Sequence, residues 1–280
     1  MKGLHFGPAG IPVSAKGKKP EQGVREVKRL GLDCMEIEFV RGVRMSENSA
    51  AAVRDAARET GIRLTAHGPY YINLCSKEPE KVSASIRRVL DTARVGSLCG
   101  AESITFHAAF YQGRDEREIF NEVAARLESI LAILAKDRVK VAVRPELTGK
   151  PSQFGSLEEL IELSRRVKGV LPCIDFAHLF ARTNGRYNSY EEFCEVLDAL
   201  KKGLGAGILK NMHIHVSGIE FTAKGERRHL ELENSRFNWK DLLRALLDYK
   251  VEGVCICESP TLEKDALLLK KTYHSLSRKR

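Results

Sequence analysis

RLTAHGP, residues 63–69, is the stretch on which the fold turns. A short run of apolar and β-suited residues ends in His67 and is stopped at once by Gly68-Pro69. That is a buried strand delivering an imidazole at its last position. The plan recurs. GLHFG at 3–7, SITFHAAF at 103–110 and MHIHVSG at 212–218 carry His5, His107, His213 and His215 at or near strand ends. VAVRPE, LPCID and VCICES bring Glu146, Asp175 and Glu258 to the same place, and His178 follows Asp175 by three residues.

Eight apolar runs lie at about 3–7, 34–40, 63–67, 103–107, 140–146, 170–175, 211–216 and 253–258. Near-continuous apolar runs are what strands buried on both faces look like. Helical stretches alternate with them, at about 21–30, 46–60, 78–96, 114–136, 156–167, 189–202, 239–249 and 262–277. Pro20-Glu21 suits a helix start, and Ser156 with Glu159 makes a capping-box pattern. Strand then helix, eight times, predicts an α/β fold, a (β/α)8 TIM barrel, as a single domain over 1–280. An open doubly wound sheet leaves unexplained why every reactive residue follows a strand. In a closed ring of parallel strands those ends meet on one face.

The chain has 46 basic and 37 acidic residues, a formal net charge of +9. That balance suits a polyanionic partner, while charged helix faces alone also serve solubility. Basic residues on the loops after strands 1, 2 and 7 (Lys16, Lys18, Lys19, Arg41, Arg44, Lys224, Arg227 and Arg228) are the candidates for phosphate contact, each set against the plainer reading of solvated surface. The tail Arg278-Lys279-Arg280 is expected to be a solvated end. No apolar run reaches the roughly 18 residues of a membrane span, and the start does not read as a signal peptide. Seven cysteines, an odd number without paired metal-finger spacing, point to a reduced, cytoplasmic setting. Cys255-x-Cys257 is expected to face the helices, because the period of two turns both away from Glu258.

Seven pieces in order carry a resemblance: HFGPAG at 5–10, HGPYYINL at 67–74, ITFHAAF at 104–110, PELTG at 145–149, CIDFAHLFA at 173–181, MHIHVSG at 212–218 and CESP at 257–260. With these the chain resembles the endonuclease IV family of apurinic/apyrimidinic endonucleases, within the xylose-isomerase-like barrels. The resemblance implies a cluster of two or three Zn2+ ions. His67 and His107 would hold one, and Glu146 would bridge it to a second that also takes Asp175, His213 and Glu258. A third would take His178 with ligands from the loop after strand 7. The implied reaction is hydrolysis of damaged double-stranded DNA 5′ to an abasic site, as in base excision repair. Glu146 is the catalytic carboxylate in that scheme, bridging ions that clamp the attacking and leaving oxygens. Tyr70, with Arg41 or Arg44, would wedge into the distorted duplex.

Two features depart from the family pattern. The loop GERRHLEL at 225–232 places Arg227 where the family has an aspartate. Glu226 can replace it, beside His229, if the loop is one residue longer, with Arg227 or Arg228 turned outward to phosphate. His215 stands where the family has no histidine, leaving open a substitute ligand, a phosphate contact or a supporting donor; His5 is similarly a supporting or substrate-side residue.

The main rival is a sugar isomerase or epimerase on the same barrel, which needs only Glu146, Asp175, His213 and Glu258 around one divalent ion. The surplus imidazoles His67, His107 and His178 favour zinc and several ions over a single Mg2+ or Mn2+. A barrel that binds without turnover is disfavoured, because buried carboxylates without a cation repel. No obligate protein partner is expected.

Overall fold

The computed structural model describes residues 3–278, so Lys279 and Arg280 of the basic tail lie outside the described residues. Eight parallel strands form the ring: β1 (Leu4–Pro8), β2 (Cys34–Glu38), β3 (Arg63–His67), β4 (Ser103–Phe106), β5 (Ala142–Pro145), β6 (Cys173–Asp175), β7 (Met212–Val216) and β10 (Gly253–Cys257). Two further strands, β8 (Gly218–Thr222) and β9 (Gly225–Leu230), make an antiparallel hairpin after β7. The ladder runs β2-β3-β4-β5 on one side and β1-β10-β7-β6 on the other.

Two seams close these halves. At the first, Asp33 N–H donates to the Phe6 carbonyl at 2.9 Å and Gly10 N–H to the Glu36 carbonyl at 2.9 Å. At the second, Leu147 N–H donates to the Cys173 carbonyl at 3.0 Å. The first seam depends on Gly7: a Cβ there would sit 1.6 Å from the Cys34 carbonyl oxygen. Any side chain at this position would hold β1 and β2 apart.

Helices α1 (Pro20–Arg29), α2 (Glu47–Thr60), α3 (Pro79–Cys99), α4 (Glu116–Lys136) and α5 (Leu157–Arg166) follow the first five strands. After β6 come a short α6 (Phe176–Arg182) and then α7 (Tyr190–Leu204); α8 (Trp239–Asp248) follows the hairpin, and α9 (Glu263–Arg278) ends the described chain. Ser156 and Glu159 make the expected capping box on α5. The short α6 and the hairpin are additions to the expected plan. Asp175 caps α6, accepting from His178 N–H at 2.7 Å. A bond of this kind stabilises by about 1 kcal/mol, and it orients the first turn that carries His178.

Strand alternation sorts the side chains. Phe6 packs outward on Tyr273 of α9, with ring centroids 5.2 Å apart. Cys255 and Cys257 join the apolar layer between barrel and helices, whereas Cys34, Val254 and Ile256 pack together as a separate small cluster. All seven cysteines are free. Glu36, Thr65, His67, Thr105, Arg144, Glu146, Asp175, His213 and His215 are buried polar groups contributed largely by the strands. Among the described residues no helix is long and apolar enough to cross a membrane.

Candidate metal centre

The last residues of β3, β5 and β6, with the loops just beyond, converge around Glu146. Glu146 Oε2 lies 2.9 Å from His67 Nε2 and 3.5 Å from His107 Nε2. Its other oxygen lies 3.2 Å from His178 Nδ1 and 3.3 Å from His215 Nδ1. Burial alone would raise this carboxyl, but the imidazoles of His215, His107 and His178 hold it well below the usual carboxylate range. The surrounding imidazoles thus favour the anionic form of Glu146.

Backbone carbonyls orient the rings. His67 Nδ1–H donates to the Gly68 carbonyl at 2.6 Å, leaving Nε2 for Glu146. His178 Nδ1–H donates to the Leu147 carbonyl at 3.0 Å, and His229 Nδ1–H to the Glu258 carbonyl at 3.1 Å. A carbonyl can only accept, so each ring has its proton on Nδ1 when neutral. The Nε2 lone pairs of His178 and His229 then face each other at 3.3 Å. Glu226 Oε2 is 3.5 Å from the first and Glu226 Oε1 is 3.8 Å from the second. Two lone pairs and a carboxylate repel unless a cation or proton lies between them.

The acidic groups give the same reading. Asp175 Oδ2 and Glu258 Oε2 are buried without a hydrogen-bond partner. Burial pushes Asp175 up to about 6, while Glu258, which burial would also raise, is held at about 2, chiefly by His215. Ligand atoms fall into close groups: His67, His107 and Glu146; Glu146, Asp175, His215 and Glu258; and Asp175, His178, His229 and Glu258. These carboxylate and imidazole donors fit divalent cations of the zinc class.

His215, rather than the expected His213, falls in the group of ligand atoms with Glu146, Asp175 and Glu258. His213 sits one rung deeper, with Nε2 3.0 Å from Glu36 Oε2 and Nδ1 3.1 Å from Ser103 Oγ. Both histidines point inward, as the pleat requires. Only His215 reaches Glu146 and Glu258, its Nδ1 3.4 Å from Glu258 Oε1. His5 pairs in register with Val254, which pairs with His213. It is buried at that lower level and does not line the outer cavity.

The hairpin resolves the altered loop. Its register passes from Glu220 opposite Arg228 to Phe221 opposite Glu226, so Arg227 is the extra residue of a β-bulge. The bulge lets Glu226 and His229 both face His178. It turns Arg227 and Arg228 to the outer side, where they bind the Glu220 carboxylate at 2.7 and 2.6 Å. They are outward, as expected, but already paired. Gly149 allows the hairpin to dock: a Cβ there would lie 2.6 Å from Glu226 Cβ.

The open cavity above these groups has a volume of about 430 Å3, and Tyr70, Phe110, Lys150 and Gln153 are among its wall residues. Tyr70 is 60% exposed, so its ring is available to a ligand. Arg41 is exposed, and Arg44 lines a neighbouring depression with Ile11, Phe39 and Met45 rather than this cavity. Lys150 and the pair Glu36 and Glu38 were missed from sequence. Lys150 directly follows the quoted PELTG, and CMEIE alternates carboxylates inward on β2, which was the available signal.

A model of the family described as "Xylose isomerase-like TIM barrel" matches residues 24–275. The chain belongs to that family. Within the xylose isomerase-like barrels, it is 43% identical over 273 residues to an uncharacterized protein of Methanocaldococcus jannaschii, covering 98% of each chain. It is 27% identical over 256 residues to a probable endonuclease 4 of Symbiobacterium thermophilum, covering 87% of this chain and 90% of the relative. Among solved structures, endonuclease IV from Thermus thermophilus aligns with a TM-score of 0.75 at 23% identity, over 98% of this chain and 100% of that one. A D-tagatose 3-epimerase-like protein aligns with a TM-score of 0.76 at 17% identity, over 100% and 99%. Both structures share the barrel, so backbone likeness does not separate a nuclease from a sugar enzyme.

Proposed function

We propose that the protein is a metal-dependent phosphodiesterase of the endonuclease IV type, cleaving DNA on the 5′ side of an abasic site. The observation that carries this reading is the set of imidazoles beyond a one-ion site. Glu146, Asp175, His215 and Glu258 alone offer four ligand atoms within 4.8 Å of one another, enough donors for one cation. His67 and His107 join Glu146 on one side, and His178, His229 and Glu226 face one another on the other. A one-ion epimerase has no use for five further donors, whereas phosphodiester hydrolysis uses several cations to hold attacking and leaving oxygens.

In this proposal His67, His107 and Glu146 would hold one zinc, Glu146, Asp175, His215 and Glu258 a second, and His178, His229 and Glu226 a third. Zinc supplies Lewis-acid stabilisation of phosphate charge and makes water a usable nucleophile near neutral pH. The chain's own groups do the rest. Glu146 would orient a water against the phosphorus. Lys150, on the cavity rim, neutralises a non-bridging phosphate oxygen. Tyr70 offers a ring for stacking where the missing base leaves a gap, and Arg41 and Arg44 meet flanking phosphates.

The sugar-enzyme reading has one observation in its favour, the self-sufficient group around His215. The deciding experiment incubates zinc-loaded protein with a duplex carrying one tetrahydrofuran abasic analogue and reads the product on a denaturing gel. The expected result is a single nick 5′ to the analogue, abolished by chelator and by Glu146→Gln. An intact duplex, with a ketohexose epimerised by the same metal-loaded protein, would overturn the proposal.

A further inference from the structure

Beneath the outer cavity the barrel holds a second set of facing donors. Cys173, His213 and His215 are all buried, and each offers a ligand atom within 4.8 Å of the others. Glu36 enters the same space from β2. Its Oε2 lies 3.0 Å from His213 Nε2 and its Oε1 lies 2.8 Å from His215 Nε2. These are hydrogen-bond distances. Yet both carboxylate oxygens and both Nε2 atoms are buried without a hydrogen-bond partner. At such separations only direction can fail, so the ring N–H axes do not run to the oxygens. The carboxylate lies against both rings at ion-pair distance, so it counters positive charge held here, a ring proton or a bound cation. The other edge of His213 is engaged, with Nδ1 3.1 Å from Ser103 Oγ, which turns Nε2 towards Glu36.

We propose that Cys173, His213 and His215 bind a further divalent ion of the zinc class inside the barrel, with the Glu36 carboxylate, set against both rings, supplying the second negative charge. Thiolate, imidazole and carboxylate together select zinc over magnesium or calcium. One thiolate and one carboxylate neutralise the dication, so the buried site carries no net charge. Binding releases the Cys173 thiol proton to solvent. The remaining edge of His215, Nδ1, faces Glu146 and Glu258, so this ring is a shared wall between inner and outer sites. The inner site does not depend on the reaction proposed for the outer cavity.

The test uses the full chain, unfolded in chelator and refolded with Co2+ as the probe. The outer cavity has no cysteine among its lining residues, so a thiolate-to-cobalt charge-transfer band reports the inner site. Wild-type protein should show that near-ultraviolet band and bind one more cobalt per chain than Cys173→Ser, which should lack the band. His213→Gln should lose the same ion, which keeps the test decisive if one variant fails to fold. Absence of the band from wild type, or its persistence in Cys173→Ser with an unchanged cobalt count, would overturn the proposal. Glu36 would then only orient His215. A band without abasic-site cleavage would sink the nuclease reading and leave this one standing.

Discussion

Gly149→Ala tests how the third cation group is assembled. The added methyl would lie 2.6 Å from Glu226 Cβ, 2.7 Å from Glu226 Oε2 and 3.0 Å from His178 Cδ2. Carbon atoms in contact prefer about 3.5–4.0 Å, so the hairpin must retreat by about 1 Å. It cannot tilt freely, because Glu226 N–H donates to the Gly149 carbonyl at 2.8 Å. Gly149 is not among the glycines with positive φ, so alanine brings no backbone strain of its own. The clash alone should cost about 1–3 kcal/mol, the usual range for overpacking. A zinc–carboxylate bond spans about 2.0–2.2 Å, so a 1 Å displacement removes Glu226 from coordinating range. The expected outcome has two parts. Urea denaturation in chelator shows the stability loss, and zinc titration shows one ion weakened by at least about tenfold while the others are unchanged. Glu226→Gln should weaken the same ion with little change in metal-free stability. If Gly149→Ala matches wild type in both measurements, the hairpin does not depend on this close approach, and the reasoning from the bulge to the third site fails.

Burial pushes the Glu38 carboxyl from 4.5 up to about 8 in the metal-free protein. A raised carboxyl keeps a proton in the folded chain that the unfolded chain has released, so its contribution to stability falls as pH rises across that window. Urea midpoints in chelator should therefore decline less steeply over this range in Glu38→Gln than in wild type; identical slopes would refute the assignment. Replacing Arg41 and Arg44 together with Ala should reduce the salt dependence of DNA binding by fluorescence anisotropy. An unchanged slope would remove both residues from the interface. Tyr70→Ala should weaken binding to abasic duplex more than to intact duplex while shifting stability by no more than about 0.5 kcal/mol. Equal weakening for both duplexes would rule out a stacking role.

Much of this molecule was legible in one dimension. The barrel followed from eight apolar runs alternating with amphipathic stretches, and His67, His107, Glu146, Asp175 and Glu258 could be seen at strand ends because a strand's last residue is a local property. Cys255 and Cys257 could be turned towards the helices by the period of two. The choice between His213 and His215 could not be made this way. Both point inward, and which one meets Glu146 depends on the stagger of β7 against β6 and β10, set by the whole ring. Glu36 and Glu38 were passed over because they lie in a run whose length and setting read as core, although their alternation with Met35 and Ile37 turns them inward. The roles of Glu226, Arg227 and Arg228 waited on a bulge that exists only once β9 is paired with β8 and docked on Gly149. Sequence periodicity states which face of a strand a side chain takes. Its height along the barrel, and hence its partners, is decided by register with neighbours far away in the chain.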